Sequence, residues 1–330
     1  MIVYRSMKRV LFFFAALAAA FSAAGQGVPC TMPPALQPGD TVVILSPAYH
    51  SDPKWKPKTE EILCRWGYVP LFGQYVDSLY AGAYAGTDAQ RAEDLLRALN
   101  DPSVKAVICQ RGGYGTIRLA GMIPPEAFTA HPKWLVGFSD ITTLHSLSVC
   151  AGVASIHGPG GSSIASADGE DEDCQVLREM LRGYLPLYEV PAHECNVPGR
   201  AHGRLVGGNL CTFAALAGTP YDFLTSAEDL ILFIEETEES YHAIDRYFQM
   251  LRVHGVLEHV RGVILGRFNA CGADLAFPSV EAMLTAYFRP LGIPVCCGFP
   301  AGHGGPNAPL LMGADVTLDV TSESAVLLFH

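Results

Sequence analysis

Short apolar segments rich in β-branched residues alternate with amphipathic segments from residue 41 onward. Three of them have the length and composition of buried strands: Thr41–Leu45 (TVVIL), Val104–Cys109 (VKAVIC) and Trp134–Phe138 (WLVGF). This alternation is typical of βαβ units. The sequence therefore predicts that the first half is an α/β domain with a parallel sheet.

The predicted helices of the first half lie between these strands. Thr59–Trp66 has an amphipathic pattern, and Thr87 with Gln90 three residues later is the signature of a capping box at a helix start. Further helices are predicted from Thr116 onward and over Thr142–Cys150. The first half thus has helices available to cover its sheet.

The second half mixes strands and helices less regularly than the first. Residues 185–200 include three prolines and are predicted to link an N-terminal domain of residues 36–184 to a C-terminal domain of residues 201–330. The length agrees with two domains, since a domain typically has ~150 residues. The predicted elements of the C-terminal domain are strands at Leu230–Ile234, Val260–Gly266 and near Val295, Val316 and Val326, and helices near Ala243–Val253 and Pro278–Phe288.

Residues 1–25 have the three parts of a secretory signal peptide. Three basic residues precede an apolar run from Val10 to Phe21, and small residues follow it. The run is too short to span a bilayer, which takes ~20 residues. We therefore expect cleavage of this segment and export of the mature protein to the periplasm, without stable membrane insertion. Retention as an N-terminal anchor is the alternative.

The mature chain is strongly acidic. The full sequence carries 22 Lys and Arg against 33 Asp and Glu, a net charge of −11, and loss of the three basic residues in the N-terminal segment makes it −14. A surface of this charge does not neutralise phosphates, which argues against nucleic acid as a partner.

The ten cysteines form no recognisable metal-binding or redox motif. No C-x-x-C pair occurs, and Cys109 and Cys211 lie in apolar segments where a thiol serves as a small core residue. We expect at most one or two disulfides, no metal and no other cofactor.

The strongest local sign of chemistry is the sequence Gly137-Phe-Ser139-Asp140-Ile at the end of the third strand. A serine between a parallel strand and a helix has its hydroxyl at the sheet edge where α/β proteins bind ligands, beside helix N–H groups that favour negative charge. The segment is similar to a nucleophile elbow without the second glycine. An ordinary helix N-cap is the alternative interpretation of Ser139.

The segment Arg111-Gly112-Gly113-Tyr114-Gly115 follows the neighbouring predicted strand. Glycines let a backbone approach a ligand closely and point N–H groups at it, as an oxyanion hole or a phosphate site requires. The nucleotide-binding patterns G-x-G-x-x-G and G-x-x-x-x-G-K-[ST] are absent, so a nucleotide site has little support. A plain tight turn is the alternative.

A nucleophilic serine needs a base and an acid that orients the base, and the chain offers several of each. His145 and His157 are near Ser139 in sequence, whereas His303 lies in a Gly-rich segment after an apolar run. Carboxylates cluster at residues 235–239, directly after a predicted strand. Residue pattern alone does not choose among them.

Short motifs along the chain choose among these candidates when they are taken together. They are Gly39–Pro47 (GDTVVILSP), Arg111–Gly115 (RGGYG), Gly137–Thr142 (GFSDIT), His157–Pro159 (HGP), Gly207–Leu210 (GGNL), Phe233–Glu236 (FIEE) with Ile244–Arg246 (IDR), and Gly302–Gly304 (GHG). In this order they resemble the LD-carboxypeptidases, peptidase family S66, which include muramoyltetrapeptide carboxypeptidases and are related to the microcin C self-immunity hydrolases. The resemblance runs from about Gln37 to Leu328.

The resemblance implies a two-domain α/β fold, with a parallel-sheet N-terminal domain and a mixed, β-barrel-like α/β C-terminal domain. It also implies a catalytic triad of Ser139, Glu235 and His303. Because neither domain holds all three residues, the active site is expected in a cleft between them. A homodimer is expected by the same resemblance.

The implied reaction is hydrolysis of the L,D amide bond of a murein tetrapeptide, between meso-diaminopimelate and the terminal D-Ala, in peptidoglycan turnover or recycling. Backbone N–H groups of Gly113 and Asp140 are expected to hold the oxyanion. Arg111, with Gly112 and Tyr114 beside it, is expected to bind the substrate, its guanidinium pairing with the terminal carboxylate. A structural ion pair beneath the turn is the alternative for Arg111.

Two features depart from the family pattern. Glu236 stands where Asp is more usual, so two adjacent glutamates are available; because strand side chains alternate between faces, only one reaches His303, and Glu235 is expected to do so. Residues 185–199 have no Trp or Phe to stack an adenine as in the microcin branch, which favours a murein peptide. A microcin C-like self-immunity amide hydrolase and a catalytically silent muropeptide-binding protein remain as alternatives.

Overall fold

The computed structural model describes residues 30–330, which form two β-sheets with helices packed around them. The predicted signal peptide, residues 1–25, lies outside the described residues. Within residues 30–330, no helix is both long enough and apolar enough to cross a bilayer.

The first sheet belongs to the N-terminal half. Its strands are β1 (Thr41–Leu45), β2 (Val69–Phe72), β3 (Val104–Cys109), β4 (Trp134–Gly137), β5 (Ser155–His157) and β11 (Leu310–Met312). They lie in the order β11-β5-β4-β3-β1-β2. Strands β1 to β5 are parallel, as the sequence predicted, whereas β11 runs antiparallel beside β5. The C-terminal half therefore supplies one edge strand of the first sheet.

Helices cover both faces of the first sheet. They are α1 (Trp55–Arg65), α2 (Asp88–Asn100), α3 (Pro125–Thr129), α4 (Thr142–Cys150), α5 (Gly161–Ser166) and α6 (Glu172–Leu181), with short 3-10 helices at Thr116–Met122 and Ser139–Ile141. The capping box at the start of α2 is confirmed: Thr87 Oγ1 accepts from the Gln90 amide at 3.3 Å and Gln90 Oε1 from the Thr87 amide at 2.9 Å. The helix expected from Thr116 is a 3-10 helix, and the prolines at 124 and 125 follow its end.

The second sheet is mixed. Its strands are β6 (Leu187–Pro191), β7 (Gly199–Asn209), β8 (Leu230–Thr237), β9 (Val260–Asn269), β10 (Val295–Cys296), β12 (Asp315–Val320) and β13 (Ser324–Phe329). In the order β10-β9-β8-β7-β12-β13-β6, the first four are parallel and the last three are joined by antiparallel pairs. The helices of this half are α7 (Leu210–Ala214), α8 (Tyr241–Val253) and α9 (Val280–Phe288), with 3-10 helices at Phe223–Thr225, Val256–His259 and Arg289–Leu291.

The second sheet differs from expectation in two respects. The sheet, expected to be barrel-like, is mixed as expected but is not a closed barrel within residues 30–330: β10 and β6 are its two edges, and a bridge between Val197 and Val295 joins the segment after β6 to the opposite edge. The segment 185–200 is more than a linker, because it contains β6 and the first residues of β7. Its prolines are compatible with a strand because β6 is an edge strand, where one side of the backbone needs no partner.

The two halves share an apolar core. Val42, Ile44 and Ile108 on one face of the first sheet belong to the same buried cluster as Leu205 and Leu232 of the second sheet. The opposite face of the first sheet packs on α2, α3 and α4 in a separate cluster. All ten cysteines lie within the described residues and carry free thiols. The carboxyl ends of β4 and β8 meet where the halves join, and the site lies there.

Candidate active site

Ser139 lies on a tight turn between β4 and α4. Its backbone φ is +65°, in the left-handed region that a non-glycine residue rarely adopts. The neighbouring turn leaves room for it only because residue 112 is glycine: a Cβ on Gly112 would lie 2.9 Å from the Ser139 Cβ. The backbone thus has the strained shape of a nucleophile elbow, as the sequence indicated.

Ser139, His303 and Glu235 form one chain of hydrogen bonds. His303 Nε2 lies 2.9 Å from Ser139 Oγ, and His303 Nδ1 lies 2.6 Å from Glu235 Oε2. Glu235 is fully buried near the end of β8, and the same oxygen accepts from the His303 amide at 3.3 Å. Gly302 permits this approach, since its φ is +121° and a Cβ there would lie 2.9 Å from the Glu235 side chain.

The adjacent Glu236 faces away from His303. Its carboxylate accepts from Asn209 Nδ2 and from the Cys211 amide, both at 2.7 Å. Burial raises the pKa of Glu236 to about 7, against the opposing effect of these hydrogen bonds. Consecutive strand residues therefore have separate partners, and Glu235 is the one that contacts His303.

The surroundings of His303 tune its basicity. Burial alone lowers its pKa, but the hydrogen bond and negative charge of Glu235 outweigh burial, so the pKa of His303 is above its usual value. The ring packs against Phe138 with 5.1 Å between ring centroids. A base with this partner is oriented toward Ser139 and stabilised once it takes up a proton.

The glycine turn after β3 lies beside Ser139. Gly113 has a φ of +119°, and a Cβ there would come within 2.5 Å of the Tyr49 ring, so only glycine fits against that ring. The side chain of Asp140 accepts from the Thr116 amide at 2.9 Å and is turned away from the cleft, and burial raises its pKa. The turn at residues 112–113 and the peptide after Ser139 thus flank the nucleophile, where an oxyanion hole would be.

Arg111 and Tyr114 lie on the exposed rim of this turn. The Arg111 guanidinium is 5.9 Å from the Tyr49 ring centroid and donates a long bond of 3.4 Å to the His50 carbonyl. Within residues 30–330 it forms no ion pair, so the structural ion pair considered from the sequence is not seen there. Tyr114 is 47% exposed and packs against Tyr84. Arg111 thus has donors available to a ligand.

His145 and His157, the other two histidines considered as the base, are buried and contact groups other than the Ser139 hydroxyl. His145 bonds to Ser155 Oγ and to the Gly137 carbonyl, each at 2.9 Å, and burial lowers its pKa to about 4. His157 lies 3.2 Å from Asn307 Oδ1. Neither histidine contacts the Ser139 hydroxyl, whereas His303 does.

Sequence reasoning missed the residues that hold the His303 loop. Arg267 of β9 donates from Nε to the His303 carbonyl and from Nη2 to the Gly304 carbonyl, both at 3.0 Å. Asp173 lies in the first turn of α6 and is only 8% exposed. Its carboxylate accepts from the Asn307 amide at 2.6 Å, and burial raises its pKa to about 6. No local pattern marks such long-range contacts.

A cavity of about 230 Å³ opens beside His303. Its wall includes Phe138, Ser163, Asp173 and Asn307. Among the described residues, no group of three or more His, Cys, Asp or Glu side chains is arranged to hold a metal ion. The chemistry that the site can perform is nucleophilic attack by Ser139 with His303 as base.

Comparisons with known proteins identify the family of the two halves. The LD-carboxypeptidase N-terminal domain matches residues 42–158, and the LD-carboxypeptidase C-terminal domain matches residues 202–318. A putative carboxypeptidase of Synechocystis is 40% identical over 86% of this chain and 93% of its own length. A probable murein peptide carboxypeptidase of Bacillus subtilis is 33% identical over 89% of this chain and 93% of its own.

Solved structures show the same fold. The muramoyltetrapeptide carboxypeptidase of Oxalobacter formigenes is 26% identical, with a TM-score of 0.78 over 88% of this chain and 98% of its own. The microcin C7 self-immunity protein MccF in complex with aspartyl sulfamoyl adenosine is 22% identical, with a TM-score of 0.76 over 91% of this chain and 98% of its own. At that identity the second likeness concerns the fold alone.

The fold and these matches together define a hydrolase of the carboxypeptidase class, built on two α/β halves. The chain belongs to the LD-carboxypeptidase family, peptidase family S66. The family resemblance drawn from the ordered motifs is thereby confirmed.

Proposed function

We propose that this protein is a serine carboxypeptidase that releases the terminal D-Ala of murein tetrapeptides by cleaving the L,D amide bond after meso-diaminopimelate. The hydrogen-bond chain Ser139–His303–Glu235 is the observation that carries the serine mechanism. The murein substrate rests on the relatives whose names specify murein or muramoyl peptides.

Acylation begins at Ser139. His303 accepts the hydroxyl proton while Ser139 Oγ forms a bond to the carbonyl carbon of the scissile amide, and the carbonyl π electrons move onto oxygen. The tetrahedral intermediate collapses, His303 gives the proton to the leaving nitrogen, and D-Ala departs. Water then attacks the acyl-enzyme with His303 again as base, which frees the tripeptide acid and Ser139.

The negative charge of the tetrahedral intermediate needs donors on the side opposite His303. The Asp140 amide and the Gly113 amide are the proposed donors, since the turn at 112–113 lies against Ser139. Removal of one such donor typically slows an acyl transfer by ~10²–10³.

The terminal carboxylate of the substrate needs a cation. Arg111 is exposed on the rim of the glycine turn, and within residues 30–330 its side chain holds one long hydrogen bond, to the His50 carbonyl. A guanidinium in this position can bind the carboxylate in bidentate fashion, with Gly112 and Tyr114 forming the adjacent surface.

We further propose that residues 1–25 are a signal peptide and that the mature enzyme acts in the periplasm as a homodimer. The basic, apolar and small-residue parts of this segment support export. N-terminal sequencing of the secreted protein tests cleavage, and sedimentation equilibrium of the mature protein tests the dimer.

The test of the reaction is release of D-Ala from L-Ala-γ-D-Glu-meso-Dap-D-Ala, followed by mass spectrometry. We expect release by the wild type and by Ser148→Ala, and none by Ser139→Ala. Ser148 lies on α4, and its hydroxyl donates to the Val153 carbonyl, away from His303. Equal release by the wild type and Ser139→Ala would refute the nucleophile. Binding of the tetrapeptide without turnover would identify a silent muropeptide-binding protein, and turnover of an aminoacyl sulfamoyl nucleoside instead would identify a self-immunity hydrolase.

A further inference from the structure

Asn307 is a buried side chain that connects the His303 loop to the first half of the molecule. It is 7% exposed, and its Oδ1 accepts from the Gly302 amide at 2.9 Å. The same oxygen lies 3.2 Å from His157 Nε2. Its backbone amide donates to the Asp173 carboxylate at 2.6 Å. One residue thus joins the glycine before the proposed base to two residues of the other half.

The hydrogen positions follow from these contacts. The Gly302 amide can only donate, so the side-chain atom of Asn307 that faces it is the carbonyl oxygen. His157 Nε2 then carries a proton and donates to that oxygen. Burial holds the pKa of His157 well below its usual value, which favours a neutral ring with its proton on Nε2. The three groups therefore have one consistent arrangement.

One partner of Asn307, His157, connects it to the strand that precedes Ser139. His157 ends β5, and it is paired with Gly137, which ends β4 two residues before Ser139. Gly302 directly precedes His303. The hydrogen bond between His303 Nε2 and Ser139 Oγ joins two halves of the chain. Asn307 adds a polar contact between those halves, because its Oδ1 contacts both His157 and Gly302, the residue before His303.

We propose that Asn307 is a positioning residue for His303: its carbonyl oxygen fixes the Gly302 amide against His157 and so keeps His303 Nε2 in reach of Ser139. This inference rests on the proposed serine mechanism. Arg267 holds the same loop by its carbonyls but lies in the same half as His303, so it does not set the distance between the halves. Misplacement of a catalytic group by ~1 Å can cost ~10² in rate.

A purely structural asparagine offers a matched control. Asn196 Oδ1 accepts from the Cys297 amide at 2.8 Å, and within residues 30–330 its Nδ2 has no partner, as is true of Asn307 Nδ2. Replacing either residue by Leu removes an acceptor from a backbone amide. Only the change at 307 alters the His303 loop.

The experiment compares Asn307→Leu, Asn307→Asp and Asn196→Leu for kcat and KM on the tetrapeptide, thermal unfolding, and the rate at which a fluorophosphonate labels the active-site serine. We expect Asn307→Leu to lower kcat and the labelling rate by ~10–100-fold with KM within ~3-fold. Asn307→Asp, which keeps an oxygen acceptor, is expected to recover most of the loss. Asn196→Leu is expected to be less stable and fully active.

A purely structural role for Asn307 would give the opposite pattern. The proposal is overturned if Asn307→Leu keeps the wild-type kcat and labelling rate, or if Asn307→Asp is as impaired as Asn307→Leu. If Asn307→Leu does not fold, Asn307→Ser carries the same expected loss, since its shorter side chain cannot reach Gly302 and His157 together. Labelling is independent of the peptide: a wild type that is labelled but releases no D-Ala refutes the substrate and still tests Asn307.

Discussion

The proposed nucleophile and the proposed base of this site are held in different ways. Ser139 is placed by its own neighbours in sequence, on a strained turn between a strand and the helix that follows it. His303 lies on a loop between β10 and β11 and is held by residues far away in sequence, Glu235, Arg267 and Asn307. The position of Ser139 is therefore determined by its local sequence, whereas the position of His303 depends on how the second half folds onto the first.

The largest loss of activity is expected from removing the charge that orients His303. Glu235→Gln is expected to lower kcat by ~10³–10⁴, because the neutral amide no longer fixes the ring or stabilises its protonated form. Glu236→Gln is the matched control: it sets an amide group against the Cys211 amide, so we expect lower stability and kcat within a few-fold. Steady-state kinetics and thermal unfolding measure both, and equal kcat losses would show that the two glutamates do not have separate roles.

A smaller effect is expected where the backbone gives Glu235 room. Gly302→Ala would place a Cβ 2.9 Å from the Glu235 side chain, so we expect kcat to fall by ~10² as the contact with His303 is displaced. Gly292→Ala has the same kind of positive φ, +69°, with nothing within 4 Å of its Cβ, and should cost stability only. Kinetic measurements on the two variants separate backbone strain from displacement of Glu235, and an active Gly302→Ala would contradict the fit described here.

Loss of the bonds to the loop carbonyls is expected to have a milder effect. Arg267→Met removes both donors to the His303 and Gly304 carbonyls, and we expect kcat to fall by roughly tenfold since Asn307 still holds Gly302. Arg261→Met, at the start of the same strand, loses exposed contacts with the Asp229 carboxylate and the Glu258 carbonyl, both far from His303, and should leave kcat unchanged. A neutral Arg267→Met would show that the loop is fixed without its carbonyl contacts.

The smallest expected effect is a shift in pH dependence. His303 must be unprotonated to act as base, and Glu235 raises its pKa above the usual ~6.5. We therefore expect kcat/KM to fall as the pH is lowered through that raised pKa, and the acidic limb of the residual activity to move to lower pH in Glu235→Gln. A profile measured from pH 5 to 9 checks this, and an unchanged acidic limb would contradict the assignment of Glu235.

The same contrast explains what the sequence could predict. Strand β3 and helix α4 are confirmed at the predicted residues, because each is a local run of the right composition and period. Strand β7 (Gly199–Asn209) was not predicted as a strand, since its glycines give it low β-propensity and only pairing with β8 and β12 stabilises it. The roles of Asn307 and Arg267 were not predicted for the same reason, since they come from contacts between segments far apart in sequence. Ser139 was a candidate from its local pattern alone, whereas the choice of His303 and Glu235 needed the family resemblance.

The central claim is that Ser139 forms a covalent acyl-enzyme. The most direct measurement is acid quenching of the enzyme during turnover of the tetrapeptide, followed by proteolysis and mass spectrometry of the peptide that contains Ser139. The account predicts a mass increase equal to the L-Ala-γ-D-Glu-meso-Dap acyl group on Ser139, stronger in a variant with slow deacylation and absent from Ser139→Ala. D-Ala release at the wild-type rate by Ser139→Ala, with no acyl group on the wild-type serine, would contradict it.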